Sequence, residues 1–262
     1  MTIALCLIVW GCFFLILGFF DFEFTSYLYN PSNSLVCIIQ LAPYISTLIV
    51  VTLSLSILFK YYPKSWLTLS LYISSLLVFF LFFTQRTYDD FRFPIFSIPL
   101  WIFISLTLSA FVIKRDNTTP LLPHAKTYLF TLLTVFILVT SIKYVWNRER
   151  FKNLESPDHF EYVWVYQGYD HNHEDNSFPS GHTALAALSL YLPYVLYKLN
   201  VKKTVLSIAS VLMLLFTVGT AAGRIIGGFH YLTDTYFSIS LVLLIYYVYQ
   251  KTFHQPLKKA PQ

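Results

Sequence analysis

Residues 204–234 read TVLSIASVLMLLFTVGTAAGRIIGGFHYLTD. Its opening portion, 204–222, carries no charge, and an α-helix needs about 20 mainly apolar residues to cross the hydrocarbon core of a bilayer. Directly after it come Arg224, His230 and Asp234. Ionisable groups beside a spanning segment are costly there and mark function. One stretch thus names both the solvent, lipid, and a chemical cluster at the edge of it.

Working outward, the same pattern recurs. Eight apolar runs, at 3–20, 36–59, 66–83, 95–113, 127–145, 183–198, 204–222 and 234–250, are long enough or nearly so to span. The composition agrees: 56% of residues are hydrophobic, 19% are aromatic, and 12% are charged, against about 25% charged in a soluble domain. Mean hydropathy is +0.59. The net charge of +5 is scattered through short loops, so nucleic acid is not an expected partner. Cys6, Cys12 and Cys37 have no metal or disulfide spacing and read as small apolar residues. The first 20 residues lack a basic leader and a small-residue cleavage site, so they read as a retained span.

The distribution of basic residues orients the chain. With the N-terminus in the cytoplasm, Lys60, Lys64, Lys114, Arg115, Lys126, Lys198, Lys202, Lys203, Lys251, Lys258 and Lys259 fall inside. Arg86, Arg92, Lys143, Arg148, Arg150, Lys152 and Arg224 fall outside. The expectation is an all-α, polytopic membrane bundle of about eight spans, with both termini cytoplasmic. A six-span arrangement is the competitor. The chain 1–262 reads as a single membrane domain, with a catalytic core over 127–250 and additional N-terminal spans over 1–113. The cationic tail at Lys258 and Lys259 is expected at an anionic cytoplasmic leaflet.

Three clusters share the outer side. Lys143 and Arg150 lie seven residues apart, about two helical turns, so a helix continuing from the fifth run would aim both one way. Pro179-Ser180-Gly181-His182 opens the sixth run. There Ser180 suits an N-cap, Gly181 lets backbone approach a ligand, and helix N–H groups suit a phosphate. Arg224, His230 and Asp234 form the third; the last two, four apart, would be neighbours on one helix face. A carboxylate beside an imidazole fixes its tautomer and leaves the other nitrogen free to attack.

These groups meet the needs of phosphoryl transfer, in which cations and N–H donors stabilise charge on the equatorial oxygens. Lys143, Arg150 and Arg224 would bind phosphate with Ser180 and Gly181. His230 would attack phosphorus, and His182 would act as general acid and then general base. No metal and no cofactor is required.

Lys143-x6-Arg150, Pro179-Ser180-Gly181-His182 and Arg224-x5-His230-x3-Asp234, in that order, resemble the tripartite signature of the type 2 phosphatidic acid phosphatase superfamily. That superfamily includes membrane lipid phosphatases and soluble vanadium haloperoxidases. The resemblance covers 127–250 and implies an all-helical core. Motif one would bind phosphate, motif two would supply the acid/base histidine, and motif three the nucleophilic histidine with its carboxylate. The membrane branch usually has six spans, so two extra N-terminal crossings are implied here, with their parity keeping the site outside. Two positions depart from the pattern. Phe151 stands where proline usually follows the motif-one arginine, and Gly223 stands where serine usually precedes the motif-three arginine.

The resulting expectation is a metal-independent lipid phosphatase of a bacterial inner membrane, with its site on the periplasmic side. Its partners would be membrane lipids and a lipid phosphate: phosphatidic acid, phosphatidylglycerophosphate, undecaprenyl diphosphate or a lipid A phosphate. The alternatives are a lipid phosphotransferase using the same phosphohistidine, and a non-catalytic binder of lipid phosphates. The run His171-Asn172-His173-Glu174-Asp175 invites a metal, but solvated loop is the simpler reading, with loop 153–177 shaping head-group access. Gly219, Ala221, Ala222 and Gly223 read as helix packing, and Gly227 and Gly228 as the turn into the site.

Overall fold

The computed structural model describes residues 3–63, 97–166, 168 and 176–253. The helices are α1 (Ile3–Phe19), α2 (Asp21–Leu28), α3 (Ser34–Tyr61), α4 (Ser97–Lys114), α5 (Leu122–Trp146), α6 (Gly181–Ala187), α7 (Leu192–Lys198), α8 (Lys203–Ile226) and α9 (Leu232–Phe253). Among the described residues there is no β-strand, only an isolated bridge between Glu149 and Asn176.

Among the described residues, four stretches are long and apolar enough to cross a membrane: Ile39–Tyr61, Thr119–Trp146, Lys203–Ile226 and Leu232–Phe253. A fifth is counted if α1 and α2, bent by 56° at Phe20, form one broken span. Such long apolar helices mark a membrane protein. The run at 66–83 lies outside the described residues. The run at 183–198 is not one helix: a 3₁₀ stretch, Leu188–Tyr191, separates α6 from α7, and Pro193 stands at the start of α7. Proline in the first turn of a helix is tolerated because its missing N–H would have had no partner there.

The chain forms two compact units, Met1–Tyr44 with Thr131–Tyr247, and Ile45–Phe130 with Val248–Gln262. In the second, Ile57, Val112 and Ala125 form a buried cluster, with Leu53, Tyr61, Leu121 and Leu122 against it. Among the described residues its buried polar groups are mostly hydroxyls, with the His124 imidazole beside them. Ser56 Oγ donates to Thr52 O, 2.6 Å away, and lies 2.9 Å from Ser109 Oγ, which donates to Ser105 O.

In the first unit, α8 has two faces. Val205, Ile208, Val211, Leu212, Leu215 and Val218 are exposed, whereas Thr217, Thr220, Ala221 and Arg224 are buried. An exposed aliphatic stripe is what hydrocarbon requires of a spanning helix. The buried hydroxyls of Thr217 and Thr220 donate to carbonyls one turn back, Met213 O and Phe216 O, so they cost little where water is absent. α6 packs on α8, and Tyr246 of α9 donates to Leu188 O at 2.9 Å. All three motifs belong to this unit.

Candidate active site

The third cluster is shaped by the end of α8. Gly228 adopts φ +67°, a left-handed conformation that glycine adopts without strain. A Cβ there would also lie 2.6 Å from Tyr29 Cε2. The turn folds the chain back, so that Phe229 N–H and His230 N–H both donate to Arg224 O, at 3.0 and 3.3 Å. The Phe229 ring thereby becomes a platform for cations. Arg224 Cζ lies 4.0 Å from its centroid, Lys152 Nζ 4.4 Å and Arg150 Cζ 5.9 Å, within cation–π range.

His230 and Asp234 meet by a different route from the shared helix face expected. α9 begins at Leu232, so His230 precedes it. Asp234, in the first turn, reaches back and accepts from Tyr231 N–H at 2.8 Å, in the manner of a capping box. That return brings its Oδ2 to 3.6 Å from His230 Nδ1, longer than a hydrogen bond but close enough to orient the ring. Burial lowers the His230 pKa to about 3, with the charges of Lys143 and Arg224 adding to the effect and Asp234 opposing it. The imidazole is therefore neutral at physiological pH.

Motif one also departs from a continuous helix. α5 ends at Trp146, Asn147 turns with φ +48°, and Arg150 is extended. Lys143 and Arg150 are therefore not aligned by helical periodicity. Instead the segment lies along the residues that lead into motif two. Lys143 Nζ donates to Asn176 O at 2.7 Å and Ser177 O at 3.3 Å, and Asn176 Nδ2 donates back to Lys143 O. Ser177 N–H donates to Arg148 O at 2.6 Å. Lys143 lies close enough to Arg150, Arg224 and Asp234 to feel their charges.

Ser180 caps α6: its Oγ accepts from Thr183 N–H at 3.4 Å and donates to Thr183 Oγ1 at 2.9 Å. Its own N–H donates to Asp234 O at 3.3 Å, fastening motif two to motif three. A Cβ on Gly181 would meet only Val139 Cγ1, at 3.9 Å. His182 is buried, its ring edge-on to Tyr44 with centroids 4.9 Å apart. The two departures acquire reasons. A Cβ at Gly223 would come within 3.0 Å of Ile39 Cγ2, so a serine would crowd Ile39. Phe151 packs against Phe22, Tyr29 and Tyr231, a contact no proline would make.

Two residues of this site went unnoticed in the sequence. Arg148 is 1% exposed, with Nη1 2.8 Å from Asp234 Oδ1 and Nη2 2.9 Å from Asp21 Oδ2. Burial disfavours its charge, but the Asp234 and Asp21 carboxylates outweigh this and raise its pKa. A signal for Asp21 did exist: an acidic residue between apolar runs, in LGFFDFEF. The His171–Asp175 run lies outside the described residues. A cavity of about 500 Å³ is lined almost wholly by apolar side chains, among them Trp10, Phe14, Ile142, Trp146 and Phe178. Trp146 lies within motif one, and Phe178 directly precedes motif two.

One helical unit thus gathers buried cations, a histidine and a carboxylate beside long apolar helices. The family model of the PAP2 superfamily matches residues 124–255, just over half of the chain, and the chain belongs to that superfamily. That membership supports a phosphatase at the coarse level. Neither the curated proteins nor the solved structures compared with the chain match it.

Proposed function

We propose that the protein is an integral membrane lipid phosphatase that hydrolyses a lipid phosphate monoester or diphosphate through a phosphohistidine. The observation that carries this reading is the buried His230 with its Nδ1 3.6 Å from Asp234 Oδ2, which leaves Nε2 as the attacking nitrogen. The Nε2–P bond forms as the bond from phosphorus to the leaving oxygen breaks, and His182 gives that oxygen its proton. Water then attacks the phosphohistidine, His182 takes the water's proton, and phosphate departs. Lys143, Arg150 and Arg224 balance the oxygens' charge, with Arg offering two donors at once. Gly181 supplies backbone at the start of α6, which Ser180 caps. The mechanism calls for no metal.

The apolar cavity beside motifs one and two suits the tail of a lipid substrate, of the phosphatidic acid, phosphatidylglycerophosphate, undecaprenyl diphosphate or lipid A phosphate class. The basic-residue distribution supports cytoplasmic termini, about eight spans and a site on the extracytoplasmic face, as in a bacterial inner membrane.

The test is phosphate release by detergent-purified protein from a panel of these lipid phosphates, with chelator present and His230→Ala alongside. Release that persists in chelator and falls roughly 10⁴-fold or more in the variant is the expected result. Activity retained by His230→Ala would overturn the assignment of the nucleophile. A newly phosphorylated lipid in place of free phosphate would reassign the protein as a phosphotransferase.

A further inference from the structure

We infer that Asp21, in the N-terminal segment outside the family match, is a positioning residue of the active site that acts on His230 through Arg148 and Asp234. The inference rests on the phosphatase reading above.

Asp21 begins α2, directly after the 56° bend that ends α1. The bend places its carboxylate against the first turn of α9, although the two are more than 200 residues apart in the chain. Asp21 Oδ1 accepts from Thr233 N–H at 2.9 Å, and Oδ2 accepts from the Thr233 hydroxyl and from Arg148 Nη2. The side chain is 0% exposed. It therefore caps the very helix whose first turn carries Asp234, from another part of the chain.

Arg148 extends the connection. Its Nη1 donates to Asp234 Oδ1 at 2.8 Å and to Thr233 Oγ1 at 3.1 Å, while its Cζ sits 4.0 Å from the Tyr231 ring centroid. The guanidinium fork is thus divided between two carboxylates. One Asp234 oxygen is taken by Arg148, and the other faces Tyr231 N–H and His230. Without the Asp21 charge, Arg148 has a single carboxylate to satisfy and is free to swing both nitrogens onto Asp234. Such bidentate pairing is what the fork prefers, and it draws the carboxylate away from Nδ1 of His230.

Phe22 of α2 and Tyr29, the residue just after α2, also pack on Phe151, which follows motif one. The N-terminal segment therefore meets the site through both charge and aromatic contact.

The experiment is Asp21→Asn in full-length, detergent-purified protein, in wild-type and Asp234→Asn backgrounds, with kcat and KM measured on one lipid phosphate. Asparagine keeps the size and can still accept from Thr233 N–H, but lacks the charge that holds Arg148. We expect kcat to fall about tenfold with KM within twofold, and no further fall in the Asp234→Asn background. An equal loss in both backgrounds would show general damage and overturn the inference, as would a kcat within twofold of wild type. If Asp21→Asn does not fold, Asp21→Ser replaces it, since it also removes the charge that holds Arg148 and keeps an oxygen suited to capping; the same two comparisons decide.

A second readout needs no turnover: ¹⁵N spectra of the histidine rings, with His230 assigned by His230→Gln. Asp21→Asn should move the His230 Nδ1 signal and leave His182 in place, whereas an unmoved signal overturns the inference. A moved signal in a protein whose wild type releases no phosphate keeps the positioning contact and removes the phosphatase reading.

Discussion

The two compact units bury polar groups in opposite ways. Among the described residues around Ile57, Val112 and Ala125 the buried polar groups are hydroxyls and the His124 imidazole, and Ser56 and Ser109 donate to carbonyls four residues back in their own helices. Around His230 they are charges, and their partners come from afar: Arg148 reaches Asp21 and Asp234, and Thr233 reaches Asp21. A hydroxyl bonded within its helix asks nothing of the rest of the fold. A buried charge without its partner is strongly unfavourable, so the second arrangement can exist only when distant segments are placed together. The contrast separates a region whose buried hydroxyls are satisfied locally from one whose buried charges depend on distant segments.

The largest break in that contrast is expected at Arg148. Replacing it by methionine keeps much of the volume but leaves Asp21 and Asp234, both 0% exposed, without their shared cation. Loss of one partner of a buried ionic group costs about 3–5 kcal/mol. Arg148→Met should accordingly lower thermal stability in detergent by far more than any serine change in the second unit, and abolish phosphate release. A melting temperature close to wild type would mean that the ion pairs do not hold this unit together.

His230 sharpens the same contrast through pH. Its folded pKa of about 3 lies below the unfolded value of about 6.5. Between those values the unfolded chain binds a proton that the native protein does not. The stability this contributes is present above pH 6.5 and is lost as pH falls toward 3, by a few kcal/mol in all. Thermal melts at pH 7.5 and 4.5 should therefore draw together in His230→Gln relative to wild type. Equal acid sensitivity in the two proteins would show that His230 titrates normally.

A smaller effect is expected at Phe229, whose ring faces Arg224, Arg150 and Lys152. Cation–π contacts contribute roughly 0.5–2 kcal/mol each. Phe229→Leu should keep the fold and loosen the cations, raising KM several-fold with a smaller change in kcat. A kcat loss at constant KM would place the ring in the chemistry instead.

How far the sequence could be read follows the same division. The three motifs were legible because each is a short run whose spacing is covalent, and the apolar runs because their length is a physical requirement of the bilayer. The routes by which the motifs meet were not. Helical periodicity was the natural assumption for Lys143 with Arg150 and for His230 with Asp234. In fact a left-handed Asn147 and a capping contact from Asp234 to Tyr231 N–H set those geometries. The 3₁₀ interruption at Leu188–Tyr191 is likewise invisible to hydropathy, since its residues are as apolar as their neighbours. Asp21 and Arg148 were missed for a deeper reason. Pairing across 86 to 212 residues leaves no local pattern that joins the partners, and the acidic Asp21 between apolar runs alone looks like an ordinary charge near a membrane edge.

The smallest expected effect lies at Ser56, and it tests the other side of the comparison. Its hydroxyl lies between Thr52 O and Ser109 Oγ. Ser56→Ala removes both contacts, yet Ser109 still donates to Ser105 O at 2.7 Å, so no donor is stranded. Thr52 O, as the carbonyl one turn back, keeps its place in the backbone ladder of α3. Interhelical hydrogen bonds of this kind average about 0.6 kcal/mol in a membrane protein, and alanine restores some helix propensity. Ser56→Ala should therefore melt within a degree or two of wild type and release phosphate at the wild-type rate. A loss approaching that of Arg148→Met would mean that this hydroxyl pair, too, carries structure, and that burying neutral and charged groups is not the difference between the two units.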